Sequence, residues 1–106
     1  MIATIKQLFG LGPKADLAEL AKQGAIILDV RTKGEYATGH IKGSVNIPVD
    51  QLSKNMGKFK DKNKAIITCC ASGMRSASAK GILTSNGFSN VHNGGAWQSL
   101  NRKLDL

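Results

Sequence analysis

Two kinds of hydrophobic pattern alternate along the chain. Continuous apolar runs at residues 25–30 and 65–70 predict strands that are buried on both faces. Shorter apolar stretches at residues 44–47 and 89–92 predict two brief strands, and Pro48 ends the first of them. The pattern therefore predicts four strands, two of which are buried.

Segments with helical spacing lie between these strands. Leu17, Leu20 and Ala21 fall on one face of a helix that Asp16 caps and Gly24 ends. The other predicted helical segments are residues 34–38, residues 50–59, a helix from Arg75 to a cap at Gly87, and a last helix that carries Trp97, Leu100 and Leu104.

Strands that alternate with helices predict an α/β fold with a central, mostly parallel sheet and helices on both faces. The 106 residues suffice for one domain, which we expect over residues 14–106 after an N-terminal extension or short helix at residues 1–13. Ligands of such sheets bind at the carboxyl ends of the strands. Cys70 lies at that end of the second buried strand.

The chain is basic, with 15 Lys and Arg against 7 Asp and Glu. Aromatic residues make up only 5% of the sequence and are not interleaved with the basic cluster, so we expect no nucleic-acid partner. The cluster consists of Lys54, Lys58, Lys60, Lys62 and Lys64. It is either a solvated surface or a face that attracts small anions or an acidic protein.

The two cysteines are neighbours, Cys69 and Cys70, which excludes a disulfide framework and favours a reducing compartment. No apolar stretch reaches membrane-spanning length, and the N-terminal residues lack the features of a secretory signal. We therefore expect a cytoplasmic protein without a membrane partner. His40 and His92 lack the acidic or cysteine spacing of a metal site, so no metal is expected.

The candidate chemistry lies in the loop from Cys70 to Ser76, between a buried strand and a helix N-terminus. Its backbone N–H groups, five in all, can converge on one point and stabilise an anion. A cysteine at the base of such a loop ionises readily. Arg75 adds a planar, charged fork suited to oxyanions. The loop residues proposed to bind substrate are Ala71, Ser72, Gly73, Met74 and Arg75.

Four motifs resemble the rhodanese family in their order and spacing. They are Asp29-Val-Arg31 with Glu35, residues 39–48 (GHIKGSVNIP), residues 70–76 (CASGMRS) and residues 94–97 (GGAW). The resemblance runs from about Asp16 to the last helix. It departs from the family pattern at Cys69 and Met74, and neither departure removes a matching catalytic position.

The resemblance implies a sulfurtransferase with Cys70 as its nucleophile. Sulfane sulfur from thiosulfate or a persulfide donor would form a Cys70 persulfide, and cyanide, a small thiol or a protein thiol would accept it. No cofactor or metal is implied. A rival from another class is a non-enzymatic sulfur relay or binding module that docks through the lysine-rich segment.

Counting from Cys69 instead gives a loop one residue longer, which resembles that of protein phosphatases and arsenate reductases. Adjacent strand residues face opposite sides of a sheet, so only one of the two thiols can face the loop. The motif aligns only when Cys70 is the nucleophile, and we expect Cys69 to be a core residue.

Supporting roles are expected for Asp29, Arg31, Glu35 and His40. Asp29 ends a buried strand, where its carboxylate must accept hydrogen bonds that brace the neighbouring loops. Arg31 either pairs with Glu35 or faces substrate, and we expect the pairing. His40 is expected to hold the loop before the short strand.

Overall fold

A computed structural model describes residues 16–104. Its elements are α1 (Leu17–Lys22), β1 (Ile26–Asp29), α2 (Lys33–Ala37), β2 (Val45–Asn46), a 3-10 helix (Val49–Lys58), β3 (Ile66–Cys70), α3 (Met74–Ser85), β4 (Val91–Ala96) and α4 (Trp97–Leu104). The predicted N-terminal extension or short helix at residues 1–13 lies outside the described residues.

The four strands of this part of the chain form one sheet in the order β2-β1-β3-β4, and each neighbouring pair is parallel. The two long apolar runs, β1 and β3, occupy its centre, with Ile27 opposite Ile67. Parallel strands need crossover connections, which the intervening helices provide. The predicted α/β class is confirmed.

Apolar side chains of successive strand residues alternate between two cores, one on each face of the sheet. On one face Leu28 and Ile66 pack with Leu83 of α3 and Leu52 of the 3-10 helix. On the other face Ile27 and Ile67 pack with Leu100 and Leu104 of α4, and α1 covers the same side. Helices therefore lie on both faces, as predicted.

Helix boundaries follow the capping residues. The Asp16 carboxylate accepts a hydrogen bond from the Glu19 N–H at the start of α1. At the end of α3, Gly87 has φ +91° and the Phe88 N–H donates to the Leu83 carbonyl at 3.1 Å. Phe88 is buried there, which is the hydrophobic contact that such a cap places on the core.

Two elements differ from the prediction. The helix expected at residues 50–59 is a 3-10 helix that is kinked at Asn55, consistent with the low helix propensity of Asn55 and Gly57. The last strand was expected to end at residue 92 but runs to Ala96. The register between β3 and β4 shifts at the two glycines, and pairing resumes where Ala96 lies opposite Cys70. β3 comes too close for a side chain there, since a Cβ on Gly94 would lie 2.8 Å from the Thr68 carbonyl oxygen.

Candidate active site

The two cysteines point to opposite faces of the sheet. Cys70 is the last residue of β3 and belongs to the core cluster beneath α3, whereas Cys69 belongs to the cluster on the α4 side. Only Cys70 therefore faces the loop that leads into α3.

The loop folds back over the Cys70 sulfur. The Gly73 N–H donates to Cys70 Sγ at 2.9 Å, and the Ser76 N–H lies 3.4 Å from the same atom. The Ser76 hydroxyl oxygen is 3.5 Å from Sγ. Of the five N–H groups expected to converge on the sulfur, those of Gly73 and Ser76 are hydrogen-bonded to it, and the Ser72 N–H also stabilises its negative charge. Cys70 itself is fully buried.

Gly73 allows the loop to turn this tightly. It is the N-cap of α3 and has φ +106°, a left-handed conformation that a residue with a Cβ rarely adopts. A Cβ on Gly73 would also lie 3.5 Å from the Gly95 Cα, so the loop packs against β4 at Gly95. Ala71 and Ser72 are exposed, and Met74 is 79% exposed at the outside of the loop.

The two thiols differ in acidity. Burial opposes ionisation of Cys70, but hydrogen bonds from the Ser76 hydroxyl and from the N–H groups of Ser76, Gly73 and Ser72 outweigh it and lower the pKa of Cys70. Burial, reinforced by the charge of Asp29, raises the pKa of Cys69 to about 12. The thiolate is therefore easier to form at Cys70 than at an ordinary cysteine, and it is disfavoured at Cys69.

The Arg75 guanidinium does not point unpaired into the loop. Its guanidinium donates to both carboxylate oxygens of Glu35, at 2.7 and 3.0 Å. Glu35 also accepts from the Thr32 N–H in a capping box at the start of α2. The hydrogen bonds from Arg75 and then Thr32 lower the pKa of Glu35 to about 2, so the pair stays ionised.

The expected pairing of Arg31 with the Glu35 side chain was wrong. Arg31 instead makes a buried ion pair with Asp29, in which Nη2 and Oδ2 are 2.7 Å apart. The remaining donors of Arg31 reach the backbone carbonyls of Glu35 and Gly39. Asp29 is the nearer partner because both side chains leave the same end of β1, whereas Glu35 turns outward to Arg75.

Asp29 and His40 brace loops around the site. The Asp29 carboxylate accepts from the Arg31 backbone N–H and from its guanidinium. The His40 ring stacks on Tyr36 with centroids 3.8 Å apart, and its Nδ1 lies 2.8 Å from the Tyr36 carbonyl. Trp97 is partly buried against the α4-side core, with the Arg31 guanidinium 4.7 Å above its ring.

Asn93 also contacts the Cys70 loop, although the sequence did not mark it as a site residue. Its side-chain oxygen lies 2.6 Å from the Ser76 hydroxyl and accepts a second hydrogen bond from the Gly95 N–H at 2.9 Å. No local pattern marks this residue, because the contact joins two segments 17 residues apart. The only signal is its position directly before the pair of glycines.

A family model of the rhodanese-like domain matches residues 14–99. The chain belongs to the rhodanese family. Among curated relatives of this family member, the thiosulfate sulfurtransferase PspE of Escherichia coli is 31% identical over 74 residues, which cover 69% of this chain and 71% of that protein. The thiosulfate sulfurtransferase GlpE of Pseudomonas fluorescens is 33% identical over 76% of this chain and 72% of its own length.

Solved structures agree with this assignment. A human single-domain sulfurtransferase superposes with a TM-score of 0.71 at 27% identity, covering 83% of this chain and 91% of its own. A rhodanese with anions from E. coli gives a TM-score of 0.67 at 30% identity, covering 71% and 89%. These solved structures share the rhodanese fold with this chain.

The family also includes proteins with other names. The tRNA uridine(34) hydroxylase of Buchnera aphidicola is 31% identical over 78 residues, but the match covers only 25% of that protein. Within residues 16–104 of this rhodanese domain, no three His, Cys, Asp or Glu side chains lie close enough to hold a metal ion. None of the helices in that range is long and apolar enough to cross a bilayer.

Proposed function

We propose that this rhodanese domain is a sulfurtransferase that carries sulfane sulfur as a persulfide on Cys70. The donor is thiosulfate or a persulfide, and the acceptor is cyanide, a small thiol or a protein thiol. The substrate-binding loop is residues 71–75, and the reaction needs no cofactor or metal. A reducing compartment, for which we propose the cytoplasm, would keep the Cys70 thiol available.

One observation carries the proposal: the Gly73 N–H points at Sγ of the buried Cys70 from 2.9 Å. A backbone donor aimed at sulfur stabilises negative charge there, because the low local dielectric strengthens the interaction. The loop therefore favours a thiolate, which is the form of cysteine that attacks a sulfur atom.

In the first half-reaction, the Cys70 thiolate attacks the outer sulfur of the donor. A new S–S bond forms, the S–S bond of the donor breaks, and sulfite or a thiolate leaves with its electron pair. In the second half-reaction, the acceptor attacks the outer sulfur of the persulfide. Cys70 then leaves as the thiolate with which the cycle began, so no external oxidant or reductant is consumed.

The burial of Cys70 adds a condition to this scheme. Sγ has no exposed surface when the Gly73 N–H is bonded to it, so a donor reaches the sulfur only when the loop moves outward. We expect the exposed residues Ala71, Ser72 and Met74 to move, because Arg75 is held by Glu35 and Ser76 by Asn93.

The phosphatase or arsenate reductase alternative requires a loop built on Cys69. Its support is weak, because the Cys69 side chain lies in the core on the other face of β3 and its pKa is raised to about 12. The hydrogen-bond donors also disfavour this alternative, because the Gly73 and Ser76 N–H groups point at Cys70.

The test is the rate of sulfur transfer from thiosulfate to cyanide in purified wild-type protein, Cys70→Ser and Cys69→Ala. We expect Cys70→Ser to lose the activity and Cys69→Ala, which keeps an apolar side chain in its core, to retain it. An active Cys70→Ser protein would refute the proposed mechanism. A wild-type protein that is inactive with thiosulfate and with persulfide donors would favour the non-enzymatic module.

A further inference from the structure

A short chain of hydrogen bonds connects Cys70 to β4. Ser76 Oγ lies 3.5 Å from Cys70 Sγ, 3.0 Å from the Gly73 carbonyl oxygen and 2.6 Å from Asn93 Oδ1. Asn93 Oδ1 in turn accepts the Gly95 N–H. The Ser76 and Cys70 side chains are fully buried, whereas Asn93, at the other end of this chain of hydrogen bonds, is exposed.

The direction of these bonds is fixed by simple counting. The Gly95 N–H requires an acceptor, so the oxygen of the Asn93 amide and not its nitrogen faces Gly95 and Ser76. This oxygen carries no hydrogen, and therefore the Ser76 hydroxyl is the donor in the 2.6 Å contact. The lone pairs of the hydroxyl then face Cys70 and can accept its S–H.

Ionisation of Cys70 changes the preferred hydrogen-bond partner of the Ser76 hydroxyl. A thiolate has no proton to donate, and three acceptors then lie within reach of the single hydrogen of the Ser76 hydroxyl: Sγ, Asn93 Oδ1, which is the nearest, and the Gly73 carbonyl oxygen. A hydrogen bond to a charged acceptor is the stronger one. Rotation about the Ser76 C–O bond moves the hydrogen to the sulfur, and Asn93 keeps its bond from Gly95.

We propose that Asn93 is a positioning residue for Cys70: it holds the Ser76 hydroxyl hydrogen while Cys70 is a thiol and yields it to the sulfur when Cys70 is a thiolate. The inference rests on the proposed role of Cys70 as nucleophile. Because Asn93 stabilises the thiol arrangement more than the thiolate arrangement, it opposes ionisation, whereas Ser76 promotes it.

Other charges act on Cys70 and must be held constant. Arg75 lies on the same loop and is matched by Glu35, and Cys69 is the adjacent residue of β3. At the end of β1, Asp29 is paired with Arg31. A substitution at Asn93 by a neutral residue changes none of these groups. Its effect on the ionisation of Cys70 therefore measures the change in the hydrogen bond from the Ser76 hydroxyl.

The experiment is a titration of thiolate absorbance against pH in the Cys69→Ala background. We expect Ser76→Ala to raise the midpoint by roughly one pH unit, the size of one hydrogen bond to a charged group. Asn93→Ala should shift the midpoint in the opposite direction, downward, because the hydroxyl loses its competing acceptor. In the Ser76→Ala background, Asn93→Ala should have no effect.

Two further variants keep the test decisive. Asn93→Asp preserves both accepted hydrogen bonds and adds a negative charge, and both effects should raise the midpoint; the part of the shift that disappears in the Ser76→Ala background is the part that depends on the hydroxyl. Asn90→Ala is the matched control, because the Asn90 side chain lies near the start of β4 and contacts His92 instead of Ser76; it should leave the midpoint unchanged.

An upward shift in Asn93→Ala, or a shift that persists without the Ser76 hydroxyl, would overturn the inference. Equal midpoints in wild type, Asn93→Ala and Asn93→Asp would overturn it as well. The titration needs no sulfur donor, so its result is separable from the proposed activity. Opposite shifts in a protein that transfers no sulfur would leave the positioning role standing and refute the proposed function alone.

Discussion

The Arg75 guanidinium and the Glu35 carboxylate form a two-bond ion pair that ties the cysteine loop to α2, with Nη1–Oε1 at 2.7 Å and Nη2–Oε2 at 3.0 Å. The two residues are 40 positions apart in the sequence. Since Glu35 also closes the capping box with Thr32, one carboxylate fixes both the start of α2 and the outer end of the loop. The positive charge of Arg75 is thus matched by a carboxylate of the chain itself.

This pair makes stability depend on pH in acid. The pKa of Glu35 is lowered from 4.5 to about 2 by Arg75 and Thr32, so its ionised form stabilises the fold above pH 4.5 and this contribution is lost as the pH falls towards 2. We expect the wild type to have a higher Tm than Glu35→Gln at pH 6. The difference in Tm should shrink as the pH falls from 4.5 to about 2. Thermal unfolding from pH 6 to 2 measures it. Glu19→Gln, which alters a carboxylate bonded to Gln23, is the control; a constant Tm difference for Glu35→Gln would contradict the assignment.

The Asp29–Arg31 ion pair is buried and should contribute more to stability than the partly exposed Glu35–Arg75 pair. Removal of Asp29 would leave the Arg31 guanidinium buried without its carboxylate partner. We therefore expect Asp29→Ala to lower the free energy of unfolding by roughly 3–5 kcal/mol. Urea denaturation measures this, and a loss below about 1 kcal/mol, as for an exposed ion pair, would show that the pair is not isolated from water.

Gly94 is required by packing. A Cβ there would meet Leu100 Cδ2 and the Thr68 carbonyl oxygen at 2.8 Å and Ile67 Cγ2 at 2.9 Å. We expect Gly94→Ala to destabilise the fold by about 1–3 kcal/mol through overpacking. Gly81→Ala is the matched control, because nothing lies within 4 Å of its added Cβ in α3. The control should raise stability by up to about 1 kcal/mol. Equal effects of the two substitutions would contradict this account.

Three lysines of the basic cluster lie at the opposite end of the sheet from Cys70. Lys60, Lys62 and Lys64 precede the amino end of β3, and Lys64 is six positions before Cys70, which corresponds to about 20 Å of extended chain. Exposed charges at that distance are screened at physiological salt. We expect replacement of these three lysines by Gln to leave transfer to cyanide and to an acidic protein thiol unchanged across a salt series. A slower protein reaction that loses its salt dependence would instead support docking there.

The sequence predicted the fold well where the signal is local. The apolar runs identified β1 and β3, and the Asp16 and Gly87 caps located helix ends, because each depends on residues a few positions apart. The end of β4 was missed because two glycines ordinarily weaken a strand. Here the absence of a side chain at Gly94 lets β4 pass close to Thr68 of β3, and pairing resumes at Ala96.

The candidate site was predictable only in part. The Cys70 loop could be found because its residues are contiguous and follow a buried strand. The partners of its side chains could not, since Glu35 reaches Arg75 and Asn93 reaches Ser76 across other elements. The choice of Arg31 between Asp29 and Glu35 depends on how α2 turns away from β1, which no periodicity encodes.

The central claim is that Cys70 carries the sulfur, and intact mass after thiosulfate treatment tests it most directly. We predict that the wild type and Cys69→Ala each gain the mass of one sulfur atom, that cyanide removes it, and that Cys70→Ser gains nothing. Added sulfur on Cys70→Ser, or its absence from Cys69→Ala, would contradict the account.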